Sequence, residues 1–199
     1  MERLSTQDPK KHLEQRVGVL VDVANMYYSA KNLHSAKVDF GRVLGEATAG
    51  RKLIRALAYV VRADVEPEQD FFNALTKQGY EVREKDLQIF YGGAKKGDWD
   101  VGISVDAIKL ADKLDVVVLV TGDGDFIPLV KYLQDNKGCR VEVVAFGKTT
   151  SSKLIETADD FLNLDEGTQK FLIPNRRPRP VSRSVPPPRS VEVENSTPG

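Results

Sequence analysis

Five consecutive apolar residues, Val116 to Val120, run straight into Thr121-Gly-Asp-Gly-Asp125. A short apolar run rich in valine reads as a strand buried on both faces, and such strands sit in the middle of parallel sheets. Open α/β sheets place their sites at the carboxyl ends of strands. Asp123 and Asp125 follow that end, with Gly122 and Gly124 on either side of Asp123 to let the chain turn sharply. Two carboxylates are therefore expected at the rim of a sheet, where a divalent cation or a phosphate can be handled.

The rest of the chain alternates strand and helix around this run. Val17-Gly-Val-Leu-Val-Asp22 reads as a first buried strand ending in an aspartate, with Asn25 three positions on and a helix from about Met26. A helix is expected from about Phe40 to a stop near Gly50, and a strand in the second half of Leu53–Val61. Pro67 suits the first turn of a helix running to about Gln78, with Gly79 as its stop. Strands are expected at 80–84 and 87–91, and a loop over 91–98, where Gly92, Gly93 and Gly97 cluster. Asp100 is placed as the cap of a helix whose core stripe is Val101, Val105, Ile108 and Ala111. A helix with Pro128 in its first turn and a stop near Gly138 follows. A strand over 140–146, a helix capped by Ser151 or Ser152 and a last short strand at 161–164 complete the order. It predicts a three-layer α/β/α domain on a mostly parallel sheet.

Composition sets the boundaries. Residues 1–15 read as a polar leader, 16–170 as the folded domain, and 171–199 as a tail. Six of the ten prolines lie between Pro178 and Pro198, mixed with Arg and Ser. Such a segment buries too little apolar surface to offset its ordering entropy, which predicts disorder. Lys+Arg and Asp+Glu are both 29, and from Arg176 onward five arginines and two glutamates give +3, leaving −3 for the remainder. A mildly acidic domain argues against a generic basic clamp on nucleic acid and permits a carboxylate-rich metal site. Cys139 is the single cysteine, which excludes an internal disulfide and a Cys-based zinc site and reads as a small core residue. The start is not a secretory signal, and no apolar run approaches the ~18 residues that span a membrane. The cytoplasm is the expected compartment, and a homodimer is compatible with these properties.

Three strand-end or loop-to-helix positions supply acidic groups: Asp22, then Asp98 and Asp100, then Asp123 and Asp125. Carboxylates brought together repel, and a cation or a proton relieves the repulsion. Mg²⁺ and Mn²⁺ prefer oxygen ligands, so an Asp cluster without Cys or His is what metal-assisted phosphodiester hydrolysis uses. Asn25 is placed to orient a phosphate or a metal-bound water. Each residue also has a plainer use. Asp22, Asn25 and Asp100 serve equally as turn or cap residues, and Asp123 and Asp125 as ordinary loop residues. Asp106 falls beside Lys109 on the polar side of its helix, which favours an ion pair there. Lys95 and Lys96 suit phosphate contacts or plain solvation, and Trp99 suits stacking on a base or local packing. His12 and His34 lie outside the constellation.

Together these residues resemble a known family. Val-Asp22-Val-Ala-Asn25, Lys96-Gly-Asp-Trp-Asp100-Val-Gly-Ile-Ser-Val-Asp106-Ala and Thr121-Gly-Asp-Gly-Asp-Phe126 are similar to the three motifs of the NYN domain, in the same order and at similar spacing. The similarity is to the LabA-like branch of that PIN-like nuclease superfamily and covers roughly Val17 to Asp165. It implies a PIN-like (Rossmann-like) α/β/α fold and a Mg²⁺- or Mn²⁺-dependent ribonuclease. By match of motif, Asp22, Asp100, Asp123 and Asp125 are the implied metal-binding and catalytic cluster, with Asn25 beside it. Asp106 also matches a family position, and Thr121 stands where serine is common. Asp98 and Trp99 both precede Asp100, an extra residue in the motif that leaves Asp98 as an alternative ligand.

Two functions compete at this point. One is an endoribonuclease that takes RNA as its partner, with the arginine-rich tail as a nonspecific tether. The other is a noncatalytic RNA-binding or regulatory scaffold, for which Pro186-Pro-Pro-Arg189 offers an extended protein ligand. The intact Asp cluster favours the enzyme. A haloacid-dehalogenase-type phosphatase needs Asp-x-Asp after its first strand, where this chain has Asp22-Val-Ala-Asn25. A Toprim-type domain needs a Glu where Asp22 stands. The full Gly-x-x-x-x-Gly-Lys-Ser/Thr pattern of a nucleotide-binding P-loop is absent, since Gly147-Lys-Thr149 has Glu142 where the first glycine belongs.

Overall fold

A computed structural model describes residues 11–62, 68–89, 95–96 and 98–174. The strands are β1 (Arg16–Asp22), β2 (Ala36–Val38), β3 (Lys52–Arg62), β4 (Glu81–Asp86), β5 (Gln88–Ile89), β6 (Lys95–Lys96), β7 (Val116–Val120), β8 (Arg140–Ala145), β9 (Asp160–Asn163) and β10 (Leu172–Pro174). The helices are α1 (Val23–His34), α2 (Phe40–Thr48), α3 (Glu68–Lys77), α4 (Asp100–Ala111), α5 (Ile127–Lys137), α6 (Ser152–Thr157) and α7 (Thr168–Phe171). Six strands form one sheet in the order β4-β3-β1-β7-β8-β9, and every neighbouring pair is parallel.

Alternation along the strands divides the core into two layers. Val17, Val19 and Val21 of β1 join Val116, Val118 and Val120 of β7 on one face, under α1, α2 and α3. Leu20, Leu57, Val117 and Leu119 point the other way, against Ile103 and Ala107 of α4, Leu129 and Leu133 of α5, and Leu154 of α6. Both faces are covered, which is why β7 has no polar residue. The chain leaves β1 for β3 and β4 on one side and returns to β7, β8 and β9 on the other. The order therefore reverses between β1 and β7, where a crevice opens beyond the carboxyl ends of the strands.

The expected three-layer α/β fold is the one found, with several local corrections. β3 is a strand over its whole length, because Lys52 and Leu53 pair with Arg16 and Val17 at the start of β1. The 91–98 stretch is not all loop: β6 pairs antiparallel with β5. Asp100 is the first residue of α4, and Trp99 occupies the cap position without a side-chain cap bond. The buried stripe of α4 is Ile103, Ala107 and Ala111, whereas Val101 and Val105 are 75% and 42% exposed. Apolar residues lie on several sides of this helix, and packing selected the stripe whose alanines allow close approach to the sheet. The chain also stays ordered past Phe171: β10 pairs antiparallel with β2. Residues 175–199, the greater part of the expected tail, lie outside the described residues, as do residues 1–10 of the leader and Pro67. Among the described residues no helix is long and apolar enough to cross a membrane.

Candidate metal centre

β1 ends in Asp22, whose side chain caps α1 by accepting the Asn25 amide at 3.0 Å. Placing Asn25 in the first turn of α1 sends its side chain across to the next strand. Its Oδ1 accepts the backbone N–H of Gly122 at 3.0 Å, so the start of α1 grips the turn that follows β7.

That turn is built from its own side chains. Thr121 is buried, and its Oγ1 accepts the Asp123 amide at 3.2 Å. Asp123 Oδ1 in turn accepts the Asp125 amide at 2.9 Å, an Asx turn that opens a short 3₁₀ segment, Gly124–Phe126. Neither Gly122 nor Gly124 has a positive φ; both are needed for close approach. A Cβ on Gly122 would lie 2.9 Å from Thr150 Oγ1 and 3.1 Å from its Cα, and one on Gly124 would lie 2.9 Å from Ser151 Oγ. Gly122 further accepts the Ser151 amide on its carbonyl oxygen at 3.0 Å. The segment 149–151 is thus a wall of the site that the sequence reading missed. A hydroxyl-rich stretch was its signal, but only the fold shows that it meets the turn.

The carboxylates of Asp100, Asp123 and Asp125 each offer an oxygen within 4.8 Å of the others. Asp22 stands outside that group of three but feels it. Its carboxyl is pushed up to about 6, first by burial and then by the charges of Asp100 and Asp123, against the opposing pull of the Asn25 and Ala24 amides. Asp98, the alternative ligand, is exposed and does not join the group; its carbonyl accepts from Lys85 Nζ at 3.2 Å.

The remaining candidates are spread around this centre. Asp106 accepts a hydrogen bond from the Tyr59 hydroxyl at 3.0 Å, not an ion pair from Lys109. Burial and the Asp106 charge push the Tyr59 phenol well above its ordinary value. Trp99 is packed down: its indole N–H donates to the Val60 carbonyl at 2.8 Å, its ring lies 5.3 Å from that of Tyr59, and a Cβ on Gly102 would come within 2.5 Å of it. Lys95 and Lys96 form β6, and their side chains lie outside what is described. Of the two histidines, His34 Nε2 is 2.9 Å from Asp165 Oδ1, away from the carboxylate group.

Three hard oxygen donors with no sulfur or imidazole among them suit Mg²⁺ or Mn²⁺ by ligand chemistry. Burial raises the Asp22 carboxyl most, and the further rise from the charges of Asp100 and Asp123 is one that a cation at the same place would relieve.

Comparison with known proteins agrees with this architecture. The NYN domain profile matches residues 16–165. Over 174 residues the chain is 28% identical to the Low amplitude and bright protein LabA of Synechococcus elongatus, covering 83% of this chain and 91% of that protein. An uncharacterized protein of Methanocaldococcus jannaschii is 25% identical over 80% of this chain and 60% of its own length. The crystal structure of a protein of unknown function from Vibrio parahaemolyticus superposes with a TM-score of 0.75 at 34% identity, covering 82% of this chain and 99% of that one. With its doubly covered parallel sheet and its carboxylates at the strand ends, the chain belongs to the NYN domain family of the PIN-like nuclease superfamily.

Proposed function

We propose that this chain is a metal-dependent endoribonuclease that hydrolyses RNA phosphodiester bonds, with Mg²⁺ or Mn²⁺ held by Asp22, Asp100, Asp123 and Asp125. The observation that carries the reading is the convergence of the Asp100, Asp123 and Asp125 oxygens within 4.8 Å at the β1/β7 crevice. Membership of a nuclease superfamily supports the same chemistry. When bound, such a cation neutralises the phosphate, lowers the pKa of the attacking water and stabilises the leaving oxygen.

The chain's own residues divide the remaining tasks. Asp100 enters from the start of α4, Asp123 and Asp125 from the turn after β7, and Asp22 from the end of β1. Asn25 is a positioning residue, since its Oδ1 holds the Gly122 amide and so fixes the turn that carries Asp123. Thr121 does the same from inside the turn. Asp106, tied to Tyr59 of β3, holds α4 in place and with it Asp100. Lys95 and Lys96 are assigned to the phosphates, and Trp99 to the packing before α4, with its indole N–H engaged by Val60.

The test is cleavage of an end-labelled single-stranded RNA with Mg²⁺, Mn²⁺ or EDTA, by wild type and an identically purified Asp123→Asn chain. We expect internal cuts that require metal and fall by about a hundredfold or more in the variant. Equal activity in both proteins marks a contaminating ribonuclease and removes the support. Absence of both cleavage and metal binding sinks the enzyme and leaves the noncatalytic scaffold.

A further inference from the structure

Among the described residues the buried polar or charged side chains are Ser29, Arg51, Thr121 and Glu142. Arg51 and Glu142 pair with each other, and Thr121 holds the Asp123 amide inside the turn. Ser29 remains, in the interior of α1, where serine is a poorer helix former than alanine. Its partner is distant in sequence: Thr149 Oγ1 donates to Ser29 Oγ at 3.0 Å.

Asn25 and Ser29 are four residues apart and therefore lie on one face of α1. Asn25 reaches the turn after β7, where it takes the Gly122 amide. Ser29 reaches the segment after β8, the neighbouring strand of the sheet. α1 thus bridges the carboxyl ends of two adjacent strands. The two loops also meet each other. Gly122 gives its carbonyl oxygen to the Ser151 amide at 3.0 Å, and a Cβ on Gly122 would lie 3.2 Å from the Thr149 carbonyl oxygen. Gly122 is therefore held at both its N–H and its C=O. The contacts close into a ring that runs from Asn25 through Gly122, Ser151 and Thr149 to Ser29 and back along α1. The far side of the ring is stiff. Thr150 Oγ1 donates to the Phe146 carbonyl at 2.7 Å, the Gly147 amide to Asn163 Oδ1 at 3.0 Å and the Lys148 amide to Asp165 Oδ2 at 3.0 Å. A segment anchored in this way moves as one piece. His34 ties it to the far end of α1 through Asp165, and Ser29 is the tie next to the turn. Thr149 is exposed, so without the serine hydroxyl it turns to water, and the fold as a whole loses little.

We infer that Ser29 is a positioning residue for the carboxylate turn: through Thr149 it clamps the segment 149–151 against Gly122, and so fixes Asp123 and Asp125. The consequence for metal binding rests on the nuclease reading, but the clamp is read without metal or RNA. The amides of Gly122, Asp123 and Asp125 are held by side chains and not by the strand ladder, so their hydrogen exchange reports the turn. Exchange is measured by NMR in EDTA on the full chain and on its Ser29→Ala and Thr149→Val variants. Each variant should speed these turn amides by about fivefold to tenfold, while amides within β7 keep the wild-type rate. The double variant should be no faster than either single one, because both remove the same bond. Mn²⁺ affinity, read by electron paramagnetic resonance, should fall by about tenfold in each. Unchanged turn amides, equal acceleration in β7, or additive effects in the double variant each overturn the clamp. So does a loosened turn with unchanged Mn²⁺ affinity, since the clamp then does not place the carboxylates. A wild-type chain that binds no Mn²⁺ removes the nuclease reading alone, and the exchange rates decide the clamp by themselves.

Discussion

An aspartate that titrates at about 6 instead of 3.8 makes the folded chain a better proton binder than the unfolded one between those two values. The raised carboxyl of Asp22 thus favours the native state at low pH, and that advantage is lost as pH rises from about 4 to about 6. At neutral pH the ionised group costs up to about 3 kcal/mol of stability in metal-free protein. Asp22→Asn keeps the acceptor for the Asn25 amide and removes the charge. In EDTA its urea midpoint should exceed wild type at pH 8 and match it at pH 4; an equal offset at both values would sink the electrostatic account. Gly122→Ala should act in the opposite sense. The added Cβ meets Thr150 backbone and the Thr149 carbonyl at 3.1 and 3.2 Å, so the turn bearing Asp123 must move. Cleavage should fall by tenfold or more, on the order of other losses of active-site positioning, with a change in thermal midpoint of only a few degrees. These residues were readable from the sequence as types: an Asp after a strand, an Asn beside it, Gly-Asp-Gly. Their partners were not. That Asn25 bonds Gly122 depends on β7 lying beside β1, and that Gly122 abuts Thr150 depends on β8 lying beside β7.

At the level of elements, packing overrode periodicity where the sequence was ambiguous. The α4 pattern admits two stripes, and contact with the sheet chose Ile103, Ala107 and Ala111 over Val101 and Val105. β3 extends through Lys52–Arg55 because β1 is there to pair with it. By contrast β7, α5 with its proline start and Gly138 end, and β8 were legible, since each carries its own apolar run and stop signal. One interaction between elements had no sequence signal. Arg51, the residue just before β3, is buried with Glu142 of β8. Two 2.8 Å hydrogen bonds join them, and the guanidinium also donates to the carbonyls of Ala47 and Thr48. Glu142 keeps a 3.0 Å hydrogen bond from Arg140 Nε, so Arg51→Met leaves the buried carboxylate one partner and should cost about 1–3 kcal/mol in urea unfolding. Arg51→Met combined with Glu142→Leu should recover most of it. Additive losses in the double variant would show that the pair is not energetically coupled.

The whole molecule closes through its last described residues. Phe171 is buried in the layer beneath α1 and α2, and its carbonyl accepts the Asp39 amide at 2.8 Å. β10 then pairs with β2. Phe171→Ala should therefore lower stability by about 3–5 kcal/mol, read by thermal or urea unfolding. A change under about 1 kcal/mol would mean that this closure is ornamental to the domain. The fold class was legible from strand–helix alternation, but the closure was not, because Leu172-Ile-Pro174 reads as the start of a proline-rich tail. The bond from Asn25 to Gly122 joins residues 97 positions apart, and Asp22 and Asp125 are further apart still. During synthesis Asp22 is therefore made long before the other carboxylates that complete its surroundings. The centre has no local precursor; it comes into being only when β7 docks against β1, and a chain halted on the ribosome short of Asp123 carries Asp22 and Asp100 without the two carboxylates that complete the group.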